Sequence, residues 1–94
     1  MKYLIYAIKS FKNPDVIFIG CTTKQYMCDV YNNYLYLYKA YKKGIGRRYT
    51  CFDVFDCGNT YYSLLEEIDT SEQNIKYYVR KHKRQYPNNY LGIL

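Results

Sequence analysis

Apolar positions along the chain follow two periods, one suited to strands and one to helices. Tyr3-Leu4-Ile5-Tyr6-Ala7-Ile8 is a short unbroken apolar run, and Val16-Ile17-Phe18-Ile19 is a second, rich in β-branched side chains. Runs of this type predict strands buried on both faces. The polar stretch from Lys9 to Asp15 carries Asn13-Pro14 as a turn signal, so the two strands are expected to form an antiparallel hairpin. Gly20 closes the second run, and without a Cβ it permits a sharp turn or the close approach of another group. Thr22 is read as the N-cap of the next element, with Gln25 completing a capping box.

From Thr23 to about Lys43 the spacing lengthens. Met27, Val30 or Tyr31, Tyr34, Tyr38 and Tyr41 recur at three and four residues, which predicts a helix that Gly44 and Gly46 end. Thr50 to Asp56 alternates in part and carries Phe and Val, so a third strand is expected there, with Gly58-Asn59 as the turn after it. Thr60 to Ile68 reads two ways: Tyr61-Tyr62 favours a strand and Leu64-Leu65-Glu66-Glu67 a helix, and a strand ending near Glu67 is preferred. Thr70 with Gln73 repeats the capping signature before a helix from Ser71 to about Arg84, which Pro87 stops. The tail from Asn88 to Leu94 is expected to pack through Leu91 and Ile93.

A length of 94 residues predicts one domain over positions 1–94, with a single modest core. No stretch approaches the roughly 20 apolar residues of a membrane span, and Met1-Lys2-Tyr3 runs straight into the first strand rather than into a signal peptide, so a soluble, intracellular protein is expected. Reduced cysteines follow from that compartment. Cys21, Cys28, Cys51 and Cys57 lack any Cys-x-x-Cys pair and His82 is the only histidine, so neither a structural metal nor another cofactor is expected. Fifteen tyrosines stand against four phenylalanines and no tryptophan. Either much of the core is lined by rings whose hydroxyls reach water or a partner, or the composition reflects an AT-rich genome, which abundant Tyr, Asn, Ile and Lys would also produce.

Net charge is +6, and its distribution matters more than its sum. Lys39, Lys42, Lys43, Arg47 and Arg48 form one acid-free cluster, and Lys76, Arg80, Lys81, Lys83 and Arg84 form a second. If the clusters converge they can track a phosphate backbone, with tyrosines nearby for stacking on bases. Otherwise both are solvated helix ends.

The order of motifs resembles the GIY-YIG nuclease superfamily, in particular a compact subgroup common in large DNA viruses. Leu4-Ile5-Tyr6 and Phe18-Ile19-Gly20 stand where that family has its two name motifs, followed by Thr22-Thr23 and a helix. Tyr49 to Phe55, then Gly58-Asn59-Thr60-Tyr61 and Leu64-Leu65-Glu66-Glu67, are similar to its third strand and the segment after it. The resemblance implies an α/β (α+β) fold with a small central antiparallel sheet of about three strands flanked by helices. It also implies phosphodiester cleavage with one divalent metal, Mg²⁺ or Mn²⁺: a motif tyrosine helps activate water, a helix arginine stabilises the phosphate, and a later glutamate holds the metal.

Little of that set is kept. Tyr6 occupies the first tyrosine position, but Leu4 replaces the leading glycine and Phe18 the second tyrosine. The position nine residues after Gly20, where the arginine belongs, holds Asp29, and no arginine occurs from Cys21 to Gly46. Aligning Tyr77-Tyr78 with the family's aromatic pair puts Ile75 at the metal-binding glutamate; Glu72, one helical turn earlier, is the candidate replacement. Asn88 or Asn89 can match a late asparagine, with Gly92 following. The sequence therefore predicts a pseudoenzyme that binds, with nucleic acid as the leading partner. Two alternatives stand beside it: a viral structural or protein-interaction factor with a protein partner or a second copy of itself, and a divergent endonuclease using Tyr6 and Glu72. If the protein is viral, host cytoplasm, nucleus or virion is its place.

Overall fold

The computed structural model describes residues 1–85, in the order β1 (Lys2–Ser10), β2 (Ile17–Thr22), α1 (Met27–Lys42), α2 (Phe52–Cys57), β3 (Thr60–Asp69) and α3 (Ile75–Lys83). Together these form a compact α+β fold around a three-stranded antiparallel sheet with strand order β2-β1-β3. The first apolar run becomes the central strand because it can be covered on both sides. Residues Tyr3 to Ile8 are all buried, and successive side chains of a strand point to opposite faces. Leu4, Tyr6 and Ile8 join a core with Phe18 of β2, Met27 and Val30 of α1, and Phe52, Val54 and Phe55 of α2. Tyr3, Ile5 and Ala7 join a second core with Ile17 and Ile19 of β2 and Ile75 and Val79 of α3. The sheet is thus a partition, with α1 and α2 on one face and α3 on the other.

The expected hairpin forms: Asp15 N–H donates to Asn13 Oδ1 (3.3 Å) and Val16 N–H to Asn13 O (3.2 Å). Gly20, however, makes no turn. It lies inside β2 opposite Tyr6, and a Cβ placed on it would come within 2.9 Å of the Tyr6 hydroxyl and 3.1 Å of the Phe18 ring. The glycine is there for a close approach, since the Tyr6 ring occupies the space a side chain would take.

Neither capping box forms: Thr22 is taken by the sheet, and α3 begins five residues after Thr70. Thr22 pairs with Leu4 as the last residue of β2, and its hydroxyl accepts from Lys24 N–H (3.1 Å) in a local turn. Helix α1 therefore begins at Met27, after an extended Tyr26 that offers no side-chain cap. Thr70 N–H donates to Met1 O (2.9 Å), which continues the ladder, while Ser71 Oγ accepts from Asn74 N–H (3.2 Å) just before α3 starts at Ile75.

The strand expected over Thr50 to Asp56 is instead the short helix α2. In a strand Phe52 and Asp56 would share a face, putting a carboxylate into the core. In a helix Phe52, Phe55 and Cys51 turn inward together, and Asp53 and Asp56, three residues apart, turn out towards cations. The third strand is Thr60–Asp69, as preferred for that ambiguous stretch; Leu65 bulges where its register with β1 shifts between Ile5 and Tyr6. Gly58 and Asn59, with φ of 83° and 48°, make the turn into it. The tail expected to pack through Leu91 and Ile93 lies outside the described residues.

The helical face read from α1 is the buried one. Tyr31, Tyr34, Tyr38 and Tyr41 pack their rings against the core, with Tyr38 and Tyr41 each 5.3 Å from Phe52 between ring centroids. Their hydroxyls find polar partners: Tyr31 donates to Thr60 O (3.0 Å) and Tyr38 to Asp56 Oδ1 (2.6 Å). This is the amphipathic use of tyrosine expected from composition. The four cysteines are free thiols, and burial pushes the Cys51 thiol up to about 12. Gly20→Ala should destabilise the protein by about 1–3 kcal/mol through overpacking, with part of that cost removed in a Tyr6→Phe background. Urea unfolding of the single and double variants measures both, and additive costs would contradict the contact.

Candidate nucleic-acid interface and the tyrosine cleft

Tyr6 projects from the central strand towards α1, where its hydroxyl meets that of Tyr34 at 3.1 Å. Around the pair lies a cleft of about 210 Å³ that Asn33, Tyr49 and Lys24 also line. Phe18 packs beside both rings, with centroids 6.3 Å from Tyr6 and 6.2 Å from Tyr34. Tyr34, arriving from the helix, supplies the hydroxyl that partners Tyr6. At the mouth, the Arg47 guanidinium lies 4.7 Å from the centre of the Tyr49 ring.

Electrostatics set what this cleft can do. Tyr6 is only 1% exposed, and burial, reinforced by the neighbouring Tyr34, drives its phenol well above the ordinary tyrosine range. Burial raises Tyr34 as well. A phenol in this state holds its proton at neutral pH and serves as a hydrogen-bond donor or acceptor, not as a base towards water. Among the described residues the cleft lining contains no carboxylate, so its polar groups, phenols with the Thr22 hydroxyl, the Cys21 thiol, an amide and an ammonium group, do not fit Mg²⁺ or Mn²⁺, which need oxygen ligands including acidic ones. Among the described residues no cluster of three or more His, Cys, Asp or Glu is placed to hold a metal ion.

The other positions singled out from sequence lie away from this cleft. Asp29 is exposed on the first turn of α1, and the residue beside it that lines the cleft is Val30. Ile75 is buried under α3, across the sheet from Tyr6. Glu72 is exposed in the turn leading to α3, so Tyr6 and Glu72 are not brought together. Asn88, Asn89 and Gly92 lie outside the described residues. Sequence reasoning placed Tyr34 only on the apolar stripe of α1 and gave Asn33, Tyr49 and Lys24 no role. The available signal was that Tyr34 follows Val30 by one helical turn and so overhangs the same strand.

The two basic clusters do not converge, because α1 and α3 cover opposite faces of the sheet. Part of the first is also neutralised. Lys42 pairs with Asp56 (3.1 Å), and Arg48 pairs with Asp53 and lies 3.9 Å from Asp56. The Tyr38 hydroxyl and Lys42 together hold the Asp56 carboxyl below its usual range. Lys39, Lys43 and Arg47 remain exposed, with no acidic partner among the described residues.

The second cluster is better arranged. Lys76, Arg80, Lys81 and Arg84 are all exposed, as is Tyr77 at 61%. Their spacing of four, one and three places them along the outer side of α3, away from the buried Ile75 and Val79. No acidic residue follows Glu72 in the chain. Lys83 differs from its neighbours: it turns inward towards Cys21, and burial, aided by nearby Arg80, lowers its ammonium from the usual lysine range. His82 is held inside by Nε2 to Glu66 Oε1 (2.7 Å), which ties α3 to β3.

Compared with known proteins, the chain matches no family model, no curated protein and no solved structure. Among the described residues no helix is long and apolar enough to cross a membrane. Removing the Tyr34 hydroxyl leaves that of Tyr6 buried without its partner, whereas removing the Tyr6 hydroxyl leaves that of Tyr34 able to reach the cleft. Tyr34→Phe should therefore cost about 1–3 kcal/mol and Tyr6→Phe less than about 1 kcal/mol in denaturant unfolding. The reverse order would contradict this arrangement.

Proposed function

We propose that the chain is a GIY-YIG-like domain without the catalytic set, acting as a binding module for nucleic acid through the outer face of α3. The observation that carries this reading is the exposed, acid-free stripe Lys76, Tyr77, Arg80, Lys81 and Arg84 on a helix whose other side is anchored in the core. Cations at this spacing release condensed counterions as they meet phosphates, and an exposed ring offers a stacking surface for bases. Support for a binding role rather than cleavage comes from the cleft. Its phenols are held protonated and no carboxylate among the described residues lines it. Glu72, exposed in the turn before α3, is not part of the cleft lining, which weighs against an endonuclease built on that pair.

A second reading, contact with another protein or a second copy of the chain, draws on a different feature. Strand β3 is an edge of the sheet, and it exposes Leu64 at 49% and Tyr62 at 38%. An uncapped edge with apolar side chains is a pairing surface.

Titration with labelled duplex in Mg²⁺ buffer separates these readings. If the four α3 cations each meet a phosphate, affinity should fall by about two orders of magnitude between about 50 and about 200 mM salt, and the duplex should stay intact. Neutralising Lys76, Arg80, Lys81 and Arg84 to Gln should remove most of that salt slope. Salt-insensitive binding would sink the proposal, as would a slope unchanged in the variant. Cleavage would show that a catalytic centre exists elsewhere.

A further inference from the structure

A second group of cations lies on the other side of the molecule from α3. Lys39 on α1 and Lys43, which caps its C-terminus, are exposed one turn apart, and Tyr36 beside them is 71% exposed. Arg47 follows just beyond the helix, its guanidinium over Tyr49. No acidic residue occurs from Val30 to Phe52. The acids that do lie near, Asp53 and Asp56, are engaged by Lys42 and Arg48 on the flank of α1. Each outer helix therefore presents the same combination, cations next to an exposed tyrosine, and the sheet makes the two face in opposite directions.

From this we infer that one copy of the protein holds two nucleic-acid duplexes at once, one on α3 and one on α1, and so bridges them. The inference rests on the nucleic-acid reading proposed above and adds a second, independent surface to it. Charge complementarity names the occupant: exposed lysines and an arginine beside an exposed ring suit a phosphate backbone, on α1 as on α3. A single duplex does not reach both surfaces. The body is only 37 Å along its longest Cα axis, whereas duplex DNA stays nearly straight over about 150 bp, and bending 20–30 bp by even 40–90° costs about 1–6 kcal/mol. Doubling a duplex back around a body of this size requires a reversal well beyond that range. The two surfaces thus serve separate segments.

The test mixes the protein with two duplexes of about 20 bp, each too short and stiff to fold back on itself. One carries biotin and the other a fluorophore. After capture on streptavidin, the fluorescent duplex should be retained only when protein is present. The variant Lys39→Gln/Lys43→Gln, which leaves Arg47 on Tyr49, should reduce that retention by about tenfold or more, while binding of one duplex through α3 persists. The variant Lys76→Gln/Arg80→Gln/Lys81→Gln should abolish retention as well, leaving only weak binding through α1. Circular dichroism confirms that both variants are folded, and Lys39→Arg/Lys43→Arg should restore bridging if the first pair acts through charge.

Binding of single duplexes without retention of the second would overturn the inference and leave the α3 reading standing. Retention that survives Lys39→Gln/Lys43→Gln would also overturn it, since bridging would then come from a dimer using α3 of each copy. A wild-type protein that binds neither duplex would remove the nucleic-acid reading and the bridging with it.

Discussion

Burial of β1 on both faces is the constraint on which the rest of the molecule depends. A strand of residues Tyr3 to Ile8 with no exposed side exists only if something apolar covers it above and below. Helices α1 and α2 supply one cover and α3 the other. Each helix brings its own charges on its outer side, so dividing the core into two halves also divides the surface chemistry. The hydroxyl pair of Tyr6 and Tyr34 belongs to one half, and the acid-free stripe of α3 to the other.

The same partition argues against reading a catalytic centre from motifs alone. A site for phosphodiester cleavage brings a metal-holding carboxylate, a positive group and an activated water to one point. Here Tyr6 faces α1, Ile75 lies in the opposite core, and Glu72 is exposed in the turn before α3 and does not line the cleft. What remains around Tyr6 is an aromatic cleft whose phenols stay protonated because burial disfavours their charged form. Tyr34 gives the buried Tyr6 hydroxyl its hydrogen-bond partner. The arrangement keeps a buried polar group satisfied and supplies no base.

Much of the fold was legible in the sequence because its strongest signals are local. The β-branched and apolar runs defined β1 and β2, and the tyrosine spacing of α1 defined its buried face. What sequence could not show was competition between neighbours. Thr22 and Thr70 carry capping signatures, yet strand pairing claimed Thr22 and the helix after Thr70 starts only at Ile75. Phe52, Val54 and Phe55 read as strand when judged by alternation; the burial of Phe52 with Phe55 and the pairing of Asp53 with Arg48 decided for helix. For the candidate site, the basic residues were legible as clusters along the chain. Their separation was not, because it depends on which face each helix covers. Nor was the loss of Lys42 and Arg48 to α2, or the inward turn of Lys83, which follow from tertiary contacts alone.

The central claim is that the sheet separates a binding surface on α3 from a chemically quiet tyrosine cleft under α1. Amide hydrogen exchange of the whole chain, with and without saturating short duplex at low salt, tests it most directly. The account predicts added protection along residues 75–84 and, where the second duplex sits, along residues 36–47, with β1 and the buried Tyr6 unchanged. Protection centred on Tyr6, Tyr34 and Tyr49, with α3 unaffected, would contradict it and return the cleft to the centre of the protein's function.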